Sequence, residues 1–312
     1  MKRDEQHLWG IVLAAGEGTR AREFLRRLCG GHGIKQFCVI TGQRSMLQHT
    51  LARVERLIPR ERILVVVSRD HRDEVRQQLA HWPTHNVIFQ PANRDTGPGI
   101  LLPLMHVTRR DPEATVAVFP SDHFIKDEKR FVETAARAVA EVSGFPRELL
   151  LLGMTPDRVE DGYGWIEPAS AEAGQESSAV RKFWEKPSPA DARALMARGA
   201  LWNTFVFVAQ SATLWRMFRR AAPDICNMFD TIRPMLSSPY ATLLTAHVYE
   251  TMPSLNFSSG VCESLASSLR VLPVPECGWS DWGSAERILA SLRQIGRLKE
   301  YSTRLTQRQA AA

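Results

Sequence analysis

The chain has 312 residues, 44% of them hydrophobic and 24% charged, with a formal net charge of +6 at pH 7. This is ordinary globular composition, enough for one large α/β domain or two modest ones. No uncharged apolar run approaches the length of a bilayer span, and the charged opening MKRDEQHLWG lacks a small-residue cleavage site, so no secretory signal is expected.

Five cysteines (Cys29, Cys38, Cys226, Cys262 and Cys277) are odd in number and never spaced as C-x-x-C. That argues against a disulfide framework or a zinc site and fits reduced thiols in the cytoplasm. From the amino end, short β-branched runs at 8–15, 63–67, 86–90 and 115–119 are expected as buried parallel strands. Helical patterns at 46–57, 71–81 and 99–109 separate them. The alternation predicts an α/β fold of Rossmann-like type, a mostly parallel sheet with helices on both faces. Ligands bind such sheets beyond the carboxyl ends of strands, where the polar motifs below are expected. Further on, 148–154 reads as a strand, 163–167 with 179–185 as a hairpin, and 189–198, 213–222 and 284–297 as helices. The Ala-, Ser-, Gly- and Glu-rich connection 168–178 is expected as a flexible surface loop, and the tail from Tyr301 is expected to fray. With no internal repeat and no convincing linker, residues 1–300 are read as a single domain.

The first strand runs straight into Gly16-Glu17-Gly18-Thr19-Arg20, with Lys35-Gln36-Phe37 soon after. Glycines there remove the Cβ atoms that keep backbone N–H groups away from a phosphate, and Arg20 and Lys35 add positive charge. Three readings compete. The loop satisfies G-x-G-x-x-G/A, but a dinucleotide site also wants a carboxylate about 20 positions on, and QFCVITGQRSM (36–46) has none. The Walker pattern fails because Ile34 separates Gly33 from Lys35. An ordinary strand-to-helix turn is the third. A nucleoside triphosphate cradle suits the residues best.

The run 115–119 delivers Asp122 at its end, within Phe119-Pro120-Ser121-Asp122-His123. An aspartate there suits Mg²⁺, which takes one or two carboxylates with phosphate oxygens and water; the alternative is a turn aspartate after proline. His123 reads as a packing or hydrogen-bonding histidine. Next come Asp161-Gly162-Tyr163-Gly164-Trp165-Ile166-Glu167, Phe183-Trp184-Glu185-Lys186-Pro187, Leu201-Trp202-Asn203-Thr204 and Gly278-Trp279-Ser280-Asp281-Trp282-Gly283-Ser284.

In this order, and with Gln90-Pro91-Ala92-Asn93-Arg94-Asp95-Thr96-Gly97-Pro98, the motifs resemble those of the sugar-1-phosphate nucleotidylyltransferases, most closely the mannose-1-phosphate guanylyltransferases, over nearly all of residues 8–292. The resemblance implies transfer of a nucleotidyl group from a nucleoside triphosphate, GTP as first guess, to a sugar-1-phosphate, mannose-1-phosphate as first guess, releasing pyrophosphate. It implies Arg20, Lys35, Asp122 and Asp281 as catalytic residues, with the two aspartates sharing Mg²⁺. Ala15, Gly16, Gly18, Thr19, Gln90, Asn93 and Thr96 would bind the nucleotide. Gly164, Glu185 and Asn203 would bind sugar hydroxyls, and Lys186 would face the sugar phosphate. Trp165, Trp184, Trp202, Trp279 and Trp282 are expected in the core rather than along the cleft. The expected partners are these two substrates, not nucleic acid or a membrane, with a homodimer as the candidate assembly.

Departures from the family pattern stand at Ala21-Arg22-Glu23-Phe24, at Ile34, at Thr204-Phe205 in place of Ser-Gly, and at Leu255-Asn256-Phe257 in place of Ile-Asp-Tyr. They leave two alternatives: the same transfer with another base or sugar, and a nucleotide-sugar-binding protein without catalysis.

Overall fold

In the computed structural model, which describes residues 6–31, 33–170 and 175–301, the first four strands are β1 (Leu8–Ala14), β2 (Ile63–Ser68), β3 (Val87–Gln90) and β4 (Thr115–Pro120). β1 lies parallel between β2 and β4, with Ile11 opposite Leu64 on one side and Val118 on the other. β3 continues the parallel set beyond β2. Alternate residues feed two cores: Ile11, Leu64 and Val66 pack on one face, Val12, Val65 and Val67 on the other. Coverage of both faces is why these strands read as continuous apolar runs, and each fully buried Val, Leu or Ile contributes about 1.5–3 kcal/mol.

The helices of this half are α1 (Arg22–Cys29), α2 (Met46–Val54), α3 (Arg72–Gln78), α4 (Thr96–Arg110) and α5 (Glu128–Val142). Side chains fix where several of them start. Ser45 and Gln48 form a reciprocal capping box at α2, and Asp127 accepts from the Arg130 amide at α5.

The second half contains β5 (Leu149–Met154), β6 (Gly164–Pro168), β7 (Ser178–Glu185), α6 (Pro189–Ala197), β8 (Leu201–Gln210), α7 (Ser211–Ala221), α8 (Pro223–Ile232), α9 (Ala241–Thr251), β9 (Leu269–Val274) and α10 (Ala285–Gln294). One nine-stranded sheet results, in the order β3-β2-β1-β4-β8-β5-β9-β7-β6. The class is α/β, as expected, with parallel pairing through β3-β2-β1-β4 and again between β5 and β9. β8, however, enters antiparallel to both β4 and β5, and β6 pairs antiparallel with β7 and with β8, so this end of the sheet folds back on itself.

Elements not expected from the sequence are α1, α5, β8, α8, α9 and β9. Two expectations need correction. Residues 175–177 at the end of the 168–178 connection are held down: Arg270 donates to Ser177 Oγ (2.9 Å), Ser177 O (2.8 Å) and Gln175 Oε1 (2.5 Å). Residues 171–174 lie outside the described part. Tyr301 is buried in a third core with Leu25 and Leu28 of α1, Phe124, Trp282 and Leu292 of α10; the tail from 302 also lies outside the described residues. This third core brings the carboxyl-terminal helix against the helix that follows the glycine loop.

Candidate active site

The loop after β1 turns on Gly18, at φ 57° and ψ 38°, a left-handed conformation that glycine adopts without a Cβ penalty. Thr19–Ala21 then makes one turn of 3-10 helix. Gln36 staples the loop from beneath. Its buried Nε2 donates to Ala14 O (2.9 Å) and Gly16 O (2.7 Å), which leaves the loop's N–H groups to meet an anion. Gln36 received no role from the sequence; its only signal was a place beside Lys35.

Beside the loop opens a cavity of about 570 Å³, a size ordinary for ligand pockets. Ala15, Gly16, Gln90, Asn93 and Thr96 line it, together with Glu17, Asp95 and Ser254. Gln90, at the end of β3, donates from Nε2 to Ala92 O (2.9 Å), and its buried Oε1 has no hydrogen-bond donor. The loop 93–97 is held by the segment 255–257: Gly97 N donates to Leu255 O (2.7 Å), Phe257 N to Thr96 Oγ1 (2.8 Å), and Asn256 Nδ2 to Asp95 Oδ1 (3.2 Å). The Asn256 departure therefore acts on the 93–97 loop.

Lys35 is 6% exposed, an ammonium buried where only close anionic partners can stabilise it. Its Nζ lies 2.8 Å from Asp122 Oδ2 and donates to the main-chain oxygen of Asp281 at 2.5 Å. The segments that carry the two aspartates are joined because Phe124 and Ser280 pair as a short antiparallel bridge, with N–H···O distances of 2.9 Å in both directions. The Phe124 ring stacks on the Trp282 indole at 4.7 Å. Trp282 has φ 48°, a strain of roughly 1–2 kcal/mol for a non-glycine residue, offset by full burial of its indole. Arg20 is mostly exposed, 3.8 Å from Asp281 Oδ2.

Burial pushes the Asp281 carboxyl up, but the Lys35 ammonium and Arg287 guanidinium outweigh it and hold the group below the usual carboxylate range. Burial, opposed by Asp122 and aided by Lys35, lowers His123 to about 4, so its ring is neutral near pH 7. Trp279 Nε1 donates to His123 Nδ1 at 3.2 Å. Tyr163 OH donates to Asp281 Oδ1 at 2.9 Å, and burial with the neighbouring Asp281 carboxylate raises its pKa. Tyr163 was legible only as part of its motif, and it ties that motif to Asp281.

On the other side, Gly164 opens β6 directly across from Glu185, the last residue of β7. A Cβ on Gly164 would stand 3.0 Å from Glu185 Oε2 and 3.3 Å from Asn203 Cβ, so the three residues are in close register. Gly164 and Asn203 lie near the amino ends of their strands, not the carboxyl ends expected, because β6 and β8 run antiparallel to their neighbours. Asn203 Oδ1 accepts from Phe205 N (3.0 Å), which supports Phe205 in the left-handed region (φ 59°) where the family pattern has glycine. Lys186, 55% exposed, pairs with Glu185 Oε1 at 2.8 Å. Trp165, Trp202 and Trp282 are buried, as expected of core residues, whereas Trp184 and Trp279 are only partly so.

Asp122 and Asp281 suit a Mg²⁺ ion that draws its other ligands from phosphate and water. The Asp122 side chain is 27% exposed, and only Lys35 pairs closely with it among the described residues, which leaves Oδ1 open. Asp281 fits provided it shares Oδ2 with Arg287, whose Nη1 donates to Oδ1 at 2.9 Å and Oδ2 at 3.0 Å. Among the described residues no cluster of three or more His, Cys, Asp or Glu forms an all-protein metal cage.

Residues 9–296 match the family model described as "Nucleotidyl transferase". The chain is 31% identical over 291 residues to Xanthan biosynthesis protein XanB of Xanthomonas campestris pv. campestris, covering 92% of this chain and 60% of that protein. It is 30% identical to a mannose-1-phosphate guanylyltransferase of Escherichia coli K12, covering 90% of this chain and 59% of that protein. The chain thus spans about 60% of the length of these relatives. A solved structure described as mannose-1-phosphate geranyltransferase from Thermus thermophilus superposes with a TM-score of 0.77 at 28% identity, over 89% of this chain and 76% of that one. The match runs from the first strand to the last helix and encloses the glycine loop, Lys35 and both aspartates; the chain belongs to the nucleotidyl transferase family.

Proposed function

We propose that this chain joins a nucleoside triphosphate, GTP first, to a sugar-1-phosphate, mannose-1-phosphate first, forming a nucleotide sugar and pyrophosphate. The observation that carries the reading is the Lys35 ammonium set between Asp122 and Asp281 at the mouth of the glycine loop. A sugar phosphate, with a second pKa of about 6, is largely dianionic at neutral pH and needs no protein nucleophile. Its oxygen attacks the α-phosphorus while the bond to the β-phosphate oxygen breaks in line. The protein's task is alignment and neutralisation of repelling anions.

In this reading Ala15, Gly16, Gly18 and Thr19 cradle the triphosphate while Arg20 and Lys35 offset charge on the departing pyrophosphate. Asp122 and Asp281 hold Mg²⁺, which when bound neutralises phosphate charge and orients the two substrates. Gln90 Oε1 supplies an acceptor for a ring N–H of the base, with Asn93 and Thr96 beside it. Gly164, Glu185 and Asn203 meet sugar hydroxyls, and Lys186 swings from Glu185 toward the sugar phosphate. Neutral His123 packs against Trp279 and moves no proton. The relatives named for mannose-1-phosphate guanylyl transfer support this choice of substrates. A single domain over residues 1–300 is supported by the one continuous sheet. A cytoplasmic setting is supported by five cysteines that form no disulfide among the described residues, and a homodimer is the assembly for sedimentation to test.

The test is a matrix of four nucleoside triphosphates against several sugar-1-phosphates with Mg²⁺, read by pyrophosphate release. GTP with mannose-1-phosphate should lead. Another leading pair would move the substrate assignment, and no pyrophosphate from any pair would leave a binding protein.

A further inference from the structure

Arg287, in the first turn of α10, is 13% exposed at its side chain and belongs to none of the binding sets above. Its guanidinium is fixed on three sides. Nη1 donates to both oxygens of Asp281, Nη2 pairs with Glu160 Oε1 at 2.6 Å, and the planar group lies 4.4 Å from the centre of the Tyr163 ring. Glu160 is itself pinned, since its Oε1 accepts from Gly162 N at 3.0 Å. A carboxylate bridged across both oxygens by one nitrogen of a guanidinium is a poor ligand, because that nitrogen must tilt or leave before a cation can enter.

The local charge points the same way. Asp122, Asp281 and Glu160 supply three negative charges, and Lys35, Arg287 and Arg20 pair with them as three positive ones. A bare dication would enter ground whose carboxylates are already neutralised, whereas a cation arriving with a triphosphate would bring its own counter-charge.

We infer that Arg287 gates Asp281: without nucleotide it occupies the second metal carboxylate and keeps free divalent cations out, and it yields the carboxylate only when triphosphate charge enters. The inference rests on the reading that Asp122 and Asp281 hold the ion. Arg287 is here a positioning residue, acting through Asp281 alone. An arginine that merely orients Asp281 for the ion would have the opposite signature, because its loss would weaken cation binding.

Mn²⁺ is the probe, titrated by electron paramagnetic resonance against the full chain, alone and with a non-hydrolysable α,β-methylene GTP analogue. Mn²⁺ alone should bind Arg287→Gln about tenfold more tightly than the unmodified chain, whereas the two should differ by less than about threefold once the analogue is present. Equal or weaker binding of Mn²⁺ alone by a folded Arg287→Gln overturns the gate. Should that variant fail to fold, Arg287→Lys carries the test. A lysine has no second nitrogen to anchor on Glu160 while it faces Asp281, so Mn²⁺ alone should bind at least about threefold more tightly, and unchanged or weaker binding overturns the gate. Asp122→Asn separates this result from the reading beneath it. If the Mn²⁺–analogue complex binds Asp122→Asn as well as the unmodified chain, the metal assignment fails and the gate with it. If Asp122→Asn loses that complex while Arg287→Gln behaves like the unmodified chain, only the gate fails.

Discussion

The two sides of this cleft, proposed above for nucleotide and for sugar, are built differently. On the first, β1 to β4 run parallel and release Gly16, Gly18, Gln90 and Asp122 from their carboxyl ends, so each motif follows its own strand. On the second, Gly164, Glu185 and Asn203 come from β6, β7 and β8, which meet antiparallel and fit together through side-chain contact. A loop that reads phosphate needs backbone N–H groups and so tolerates change in nearby side chains. A surface that reads hydroxyls depends on a few atoms held in register, and the Phe205 departure falls there. In the proposed reading, nucleotide binding and sugar selectivity would therefore rest on separate parts of the sheet, joined at Asp281 through Tyr163.

The largest expected effect lies at the junction of the two sides. Asp122→Ala or Asp281→Ala should each lower turnover at least ~100-fold, the usual loss on removing a stabiliser of transition-state charge. Steady-state rates near normal in either variant would remove that aspartate from the mechanism.

A second prediction concerns stability on the nucleotide side. His123 has a folded pKa near 4, below its ordinary 6.5. Its neutral form is therefore fully compatible with the fold above pH 6.5, and stability is lost as pH falls toward 4 while the unfolded chain takes up the proton. The loss should reach about 2 kcal/mol by pH 5. Denaturant titrations at pH 7 and pH 5 should show a drop that is smaller in His123→Asn by that amount; an identical drop in the variant would assign the pH dependence to other groups.

The smallest effect tests the division itself. Gly164→Ala places a methyl group 3.0 Å from Glu185 Oε2 and 3.2 Å from the Phe183 ring. The KM for the sugar-1-phosphate should rise about tenfold, roughly the discrimination of one crowded contact, with the KM for the triphosphate unchanged within about twofold. An equal rise in both constants would show that the two sides do not act separately.

Legibility followed the same line. β1 to β4 announced themselves because a strand buried on both faces carries its own apolar, β-branched signal. β8 did not, since Trp202-Asn203-Thr204 interrupts its apolar run and reads as a binding motif. In α9 the apolar period is blurred by Leu243, which is exposed. α5 had a readable helical spacing in Phe131, Ala135, Ala138 and Val142 that went unread. The expectation that fraying begins at Tyr301 fails for that residue because its partner core, on α1 and α10, exists only after folding.

The α/β class, the glycine loop with its two cations, and Asp122 at a strand end were readable from the residues alone, because turn glycines, strand periodicity and charge act over a few neighbouring positions; Asp281 entered only through the family resemblance. Folding had to settle that the Asp122 and Asp281 segments join at the Phe124–Ser280 bridge, that Gln36 braces the loop, and that Arg287 occupies the Asp281 carboxylate. Those contacts join segments far apart in sequence. Their partners are selected by packing and pairing across the whole sheet, and no local pattern encodes that choice.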